Sequence, residues 1–201
     1  MSITTITGPM FSGKTTELVR LIDRKIIAGK RCLIVRHKLD KRYDLDSSKS
    51  ITTHMKCQYG GSDIVVVDAL TDSLFADILE QYHVVGIDEG FLFENISIFC
   101  TNLANRKIDV VVSTIDSSYK QACFPEIGKL TAISEHVIKL SAICMDCQSD
   151  AHFTVRISDE DQDVVMDDGT GQKYKALCRP CMNKHNALRK DKHRTNYAYI
   201  D

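Results

Sequence analysis

The pattern of this chain predicts an α/β fold, a doubly wound and mostly parallel sheet with a small second domain towards the C-terminus. Three observations carry that prediction. Short apolar runs alternate with segments of helical periodicity up to about residue 140. A glycine-rich turn joins the first run to the first periodic segment. From Ser141 onward the composition shifts to cysteine, aspartate and short β-like runs. Strands that alternate with helices at this spacing form a parallel sheet whose faces are both covered.

Ile3 to Thr7 reads as the first strand, and Leu18, Val19, Leu21, Ile22 and Ile26 form the apolar stripe of a helix that Gly29 ends. Cys32 to Val35 is the second strand. The polar stretch from Arg36 to Gly61 holds His37, Asp40, Arg42, Tyr43 and Thr53-His54 without periodicity, and is expected to be a loop. Ile64 to Val67 is a strand, a helix follows from Thr71 to Gln81, and the strand Val84 to Ile87 ends in Asp88-Glu89-Gly90. A helical pattern marked by Ile96, Phe99 and Leu103 precedes the apolar run Ile108 to Val112, and Val137 to Leu140 is the last strand of the core. Phe153 to Ile157 is a β-like run beyond it. The expected division is 1–140 for the α/β domain, 141–185 for the small domain and 186–201 for a flexible basic tail. Lys184 to Arg194 reads as solvated chain rather than a binding surface.

Bulk composition narrows the possible functions. The chain has 201 residues, 43% of them hydrophobic, enough to bury a full core plus an appendage. Its 26 basic and 27 acidic residues leave a formal charge of −1, which argues against a role resting on attraction to nucleic-acid backbones. No apolar run is long enough to span a bilayer, and no charged start leads into an apolar leader. The expectation is a cytoplasmic protein with no membrane partner.

Gly8-Pro9-Met10-Phe11-Ser12-Gly13-Lys14-Thr15 fits the phosphate-loop template G-x-x-x-x-G-K-[ST], between a strand and a helix as the template requires. Such a loop turns backbone N–H groups onto phosphate oxygens at a helix N-terminus. Lys14 is placed to reach the β- and γ-phosphates, and the Thr15 hydroxyl to hold Mg²⁺. The expected ligand is a nucleoside triphosphate, bound through Gly8, Met10, Phe11, Ser12, Gly13, Lys14 and Thr15. Asp88 ends an apolar strand, where an open α/β sheet binds its ligand, and is the candidate for organising Mg²⁺. Glu89 follows it. From the motif alone Glu89 either positions water, as in a hydrolase, or takes a proton from a substrate hydroxyl; two acids capping the next helix is a third reading.

Cys144, Cys147, Cys178 and Cys181 form two C-x-x-C pairs separated by 30 residues. Two residues between ligands let both thiolates of a pair reach one tetrahedral ion, and four thiolates leave no open coordination position. The pattern reads as structural Zn²⁺, with disulfides as the alternative that a reducing compartment disfavours. Cys32, Cys57, Cys100 and Cys123 stand singly and read as small apolar residues.

Taken together, Gly8 to Leu18, Ile87-Asp88-Glu89-Gly90, Lys41-Arg42-Tyr43, Thr53-His54 and Lys139 to Cys147 resemble the thymidine kinases of the zinc-containing (type II) class found in animals, poxviruses and many bacteria. The likeness runs in order from about Ile3 to Cys181. It implies a core of the phosphate-loop, RecA-like type with a zinc-ribbon lid. It also implies ATP-dependent phosphorylation of the 5′-hydroxyl of thymidine, in pyrimidine deoxynucleotide salvage. By the same resemblance Glu89 is the catalytic base, Arg42 lies near the transferred phosphoryl group, and the loop between the cysteine pairs folds over the nucleoside. Met10, Ile115, Tyr119, Phe124, Thr154 and Tyr174 match the base pocket, with Tyr119 stacking on the pyrimidine and Met10 and Tyr174 flanking its 5-methyl group. A homotetramer and inhibition by the end-product triphosphate are further implications.

The chain departs from the family pattern in three places. The family's D-E-G-Q-F-F is Asp88-Glu89-Gly90-Phe91-Leu92-Phe93 here, and its D-G-T-F-Q-R-K-P-F is Asp116 to Phe124 with basic residues lost or shifted. The stretch Val164 to Tyr174 carries Asp167-Asp168-Gly169-Thr170-Gly171 where the family has a compact I-G-G turn. No catalytic group is removed. Because a reshaped pocket discriminates a methyl group by only about 1–3 kcal/mol, deoxyuridine is a second expected substrate. The alternative reading is a phosphate-loop ATPase whose ribbon binds nucleic acid or protein.

Overall fold

Period-two alternation sorts the side chains of the central strands into two apolar layers, and that sorting builds the molecule. The computed structural model describes residues 1–40, 51–52, 58–59, 62–158 and 173–188. The chain runs β1 (Ile3–Gly8), α1 (Lys14–Ile27), β2 (Cys32–His37), β3 (Ile51–Thr52), β4 (Gln58–Tyr59), β5 (Asp63–Val67), α2 (Asp72–Gln81) and β6 (Val84–Ile87). After a short 3₁₀ turn, Gly90–Leu92, come α3 (Ile96–Asn105), β7 (Asp109–Ile115), α4 (Pro125–Ile133) and β8 (His136–Lys139). The remainder is β9 (Ala142–Ile143), β10 (Asp150–Ala151), β11 (Phe153–Arg156), β12 (Tyr174–Leu177) and α5 (Arg179–Leu188).

Six strands form one sheet in the order β5-β2-β6-β7-β1-β8, and every pairing in it is parallel. On one face Ile6, Cys32, Ile34, Val84 and Val111 pack against Leu18, Val19 and Ile22 of α1. On the other, Ile3, Leu33, Val35, Val85, Ile87, Val110 and Val112 pack against α2, α3 and α4 through Ile78, Ile96, Leu103, Ile127 and Leu130. Gly86 lets α1 approach closely, since a Cβ there would lie 3.2 Å from Ile22 Cδ1. Helix ends follow local chemistry. The Thr71 hydroxyl accepts the Leu74 N–H at 3.2 Å to cap α2, and Gly29, at φ 75°, takes the left-handed position just after α1.

A third apolar cluster belongs to the C-terminal ribbon. Ala142, Cys144, Ala151, Val155, Ala176, Leu177, Cys178 and Met182 form it, with Phe11 of the glycine-rich loop packed against it. The hairpin β9–β10 and the pair β11–β12 are each antiparallel.

One expectation is corrected, and two helices add to the sequence reading. The stretch expected to be loop from Arg36 to Gly61 contains the end of β2, through His37, and an antiparallel pair, Ile51↔Tyr59 and Thr52↔Gln58. Its strands are only two residues long, too short to carry a periodic signal. Helix α4 was unmarked in the sequence because only Ile127 and Leu130 of its residues are buried and Gly128 interrupts it. Helix α5 runs from Arg179 to Leu188.

Candidate functional site

At the C-terminal end of β1 the chain makes the tight turn that a phosphate loop requires. Gly8 stands at φ 149°, and a Cβ on it would lie 2.6 Å from the Leu140 carbonyl oxygen. Gly13 takes the left-handed conformation at the N-cap of α1 (φ 82°, ψ 18°), and Phe11 is also left-handed at φ 65°. Such strain persists only where the surroundings hold it. For Phe11 the surroundings are the ribbon core. The Ser12 hydroxyl donates to the Pro9 carbonyl at 2.8 Å, and the buried Lys14 ammonium donates to the same oxygen at 2.7 Å. Lys14 and Thr15 open α1 beside the loop's amides, where a helix N-terminus favours anions.

Asp88 leaves the end of β6 with its N–H donating to the Val35 carbonyl at 3.0 Å, and its side chain is only 1% exposed. The Thr15 hydroxyl lies 3.2 Å from each Asp88 carboxylate oxygen. The Ser113 hydroxyl, from β7, donates to Asp88 Oδ1. Strand β7 lies between β1 and β6, with Ile6 opposite Ser113 and Ile87 opposite Val112, so Ser113 bridges loop strand and acid strand. Ser113 is a site residue that sequence reasoning missed. Its one signal is a hydroxyl directly after the apolar run that ends at Val112. Glu89 follows in left-handed conformation (φ 51°, ψ 49°), half-buried, and its carbonyl accepts the Leu92 N–H at 3.0 Å.

The neighbouring end of β2 also turns ionisable groups inward. Arg36, His37 and Asp40 are buried, Arg36 and Asp40 pair at 3.6 Å, and His37 meets the Phe93 ring edge-on at 4.8 Å. Arg42, with Lys41, Tyr43 and Thr53-His54, lies outside the described residues, as does the stretch Val164 to Gln172.

Residues matched to a base pocket come from both parts of the chain. Ile115 ends β7 opposite Gly8. The loop after it is closed by Ser118 N–H donating to the Ala122 carbonyl and Gln121 N–H to the Ser118 carbonyl, both at 2.9 Å, which presents Tyr119 at its tip. The Phe124 ring packs at 5.2 Å against Phe91, the aromatic that stands in place of the family's Gln. From the ribbon, the Thr154 hydroxyl accepts the Met10 N–H at 3.0 Å, tying β11 to the glycine-rich loop. Tyr174, on β12, is buried and accepts a hydrogen bond from Arg156 at 2.8 Å. Arg156 was likewise missed.

The four cysteines of the two pairs meet. Their Sγ atoms all lie within 4.8 Å of one another, with Cys147 and Cys178 at 3.5 Å, and each of the four is a free thiol. Burial pushes the Cys144 thiol up, but the backbone N–H groups of Cys178, Cys147 and Asp146 outweigh it and draw it down to about 6. The Ser149 hydroxyl lowers Cys147, whereas the thiols of Cys178 and Cys147 push Cys181 up to about 12. A thiolate set at this spacing matches a tetrahedral soft-metal site, whose sulfurs stand roughly 2.3 Å from the ion.

Fold and site together define a phosphate-loop α/β protein with an acid at a nearby strand end and a four-thiol ribbon seated on the loop. Comparison with known proteins narrows this. The thymidine kinase family model matches residues 1–182. A thymidine kinase of Acanthamoeba polyphaga mimivirus is 52% identical over 189 residues, covering 92% of this chain and 83% of its own. One from Choristoneura fumiferana entomopoxvirus is 36% identical, covering 94% and 100%, and thymidine kinase 1 of Dictyostelium discoideum is 38% identical, covering 90% and 77%. The chain belongs to the thymidine kinase family. Among the described residues no helix is long and apolar enough to cross a membrane.

Proposed function

We propose that the chain transfers the γ-phosphoryl group of ATP to the 5′-hydroxyl of thymidine, and accepts deoxyuridine as well, in pyrimidine deoxynucleotide salvage. Family membership carries the reaction. The observation that supports one shared site is the hydrogen bond from Met10 N–H to the Thr154 hydroxyl, which seats the ribbon against the phosphate loop.

In this reading the loop amides and Lys14 hold the triphosphate. The Thr15 hydroxyl and Asp88 carboxylate are hard oxygen donors on one carboxylate-hydroxyl pair, a set suited to Mg²⁺. When bound, that ion neutralises charge on the phosphates. Glu89 accepts the proton of the 5′-hydroxyl, and Arg42 stabilises charge on the transferred group. Positioning and charge neutralisation do most of the work in such transfers. Met10, Ile115, Tyr119, Phe124, Thr154 and Tyr174 line the base. Cys144, Cys147, Cys178 and Cys181 hold a structural Zn²⁺ that fixes both ends of the loop between them. The division into 1–140, 141–185 and 186–201 completes the reading. A homotetramer, feedback by thymidine triphosphate and a cytoplasmic setting belong to it too.

The test is ADP release from ATP with and without nucleoside. Thymidine-dependent release, with deoxyuridine active and deoxycytidine inactive, is the expected result. Turnover without any nucleoside would favour the ATPase alternative.

A further inference from the structure

Strand β11 presents alternate residues to different partners. Val155 points into the ribbon's own apolar cluster, so Thr154 and Arg156, one residue to either side, share the opposite face. Thr154 meets Met10 there. Arg156 is 1% exposed, and its guanidinium carbon lies 3.9 Å from the centroid of the Tyr119 ring. Across the β11–β12 pair Arg156 stands opposite Tyr174, donates to its phenolic oxygen at 2.8 Å, and lies 5.3 Å from its ring. One buried cation therefore touches an aromatic from the α/β core and an aromatic from the ribbon. The Tyr119 phenolic oxygen is itself buried and has no hydrogen-bond partner among the described residues, so stacking rather than hydrogen bonding sets the plane of that ring.

We infer that Arg156 is a positioning residue for nucleoside binding: it holds Tyr119 and Tyr174 in register as two walls of the base pocket. This rests on the proposed placement of the base beside Tyr119. With the guanidinium over one face of the ring, a stacking pyrimidine takes the other. The planar, permanently charged guanidinium suits both jobs at once, stacking flat on one ring while donating in plane to the second phenol. A lysine ammonium has no plane to stack.

The experiment compares the full-length protein with R156M, R156K, Y119L and the R156M/Y119L double variant, measuring thymidine KM, ATP KM, kcat and melting temperature. Both Arg156 variants are expected to raise thymidine KM by about tenfold with ATP KM unchanged, and R156M is expected to cost less in the Y119L background than alone, only the part carried through Tyr174 remaining. Should R156M fail to fold, R156K decides on the same measurements. If Y119L raises thymidine KM while R156K and R156M leave it at the wild-type value, the inference fails and the base-pocket reading stands. If Y119L itself leaves thymidine KM unchanged, the pocket reading fails and takes the inference with it. A parallel change in thymidine KM, ATP KM and melting temperature, or additive losses in the double variant, would mark a purely structural role and overturn it.

Discussion

Asp88 receives the hydroxyls of Ser113 and Thr15 on a carboxylate that solvent scarcely reaches. A hydrogen bond to a charged group is worth about 1.5–3 kcal/mol. Removing the Ser113 hydroxyl therefore leaves Asp88 less firmly oriented towards Thr15. S113A is expected to raise the Mg²⁺ concentration for half-maximal binding of a fluorescent ATP analogue by about tenfold, with thymidine KM unchanged; an unaltered Mg²⁺ titration would show that Thr15 alone suffices. Glu89 sits one residue on, in a backbone conformation unusual for a side chain of its size. E89Q preserves shape and removes the base, so nucleotide affinity should hold while kcat falls by roughly 10²-fold or more. Retained kcat would remove Glu89 from the mechanism.

At the level of elements, the ribbon is a small unit with a modest apolar cluster, and four thiols crowd at its base. Backbone N–H groups outweigh burial and draw the Cys144 thiol down, whereas the neighbouring thiols of Cys178 and Cys147 push Cys181 up. A divalent ion relieves that crowding by replacing protons. C144S is expected to lose bound zinc, read by metal analysis, and to raise thymidine KM several-fold or unfold the C-terminal region while the α/β core keeps its helical signal. Full zinc in the variant would contradict this. The α/β core itself is organised by strand alternation: Leu33 and Val35 face one layer, Cys32 and Ile34 the other.

For the molecule as a whole, the N-terminus, α1 and β7 are tied at Asp109, which takes the Lys25 ammonium at 2.6 Å and the Ser2 N–H at 3.1 Å. Burial raises the Asp109 carboxyl, but Lys25 and Ser2 outweigh it and hold it below the ordinary carboxylate value. A carboxylate lowered by folding stabilises the native state above its unfolded value, and the contribution disappears as pH falls through the native value. Lys25 is 41% exposed, so the pair is worth no more than about 1 kcal/mol. K25M should lower the melting temperature by about 1–4 °C near neutral pH, and the difference from wild type should begin to shrink as pH falls below roughly 4 and vanish only below the native Asp109 value. A difference that persists in acid would point to packing of the lysine stem instead.

What the chain reveals without its fold is whatever depends on local order. Gly8 to Thr15 needs only a strand before it and a helix after it. The two C-x-x-C pairs need only tight turns, and the alternating apolar runs need only the pleat of a sheet. These features made the α/β architecture, the phosphate loop and the four-thiol set legible. Tertiary structure decided what depends on elements far apart in sequence. Ser113 reaches Asp88 because β7 is inserted between β1 and β6. Arg156 lies 37 positions from Tyr119, yet covers its ring because β11 turns one face to the core. A hydroxyl within an apolar strand and an arginine within a short β-run are unremarkable in sequence, since period and propensity record which face a residue occupies and carry no information about what stands opposite.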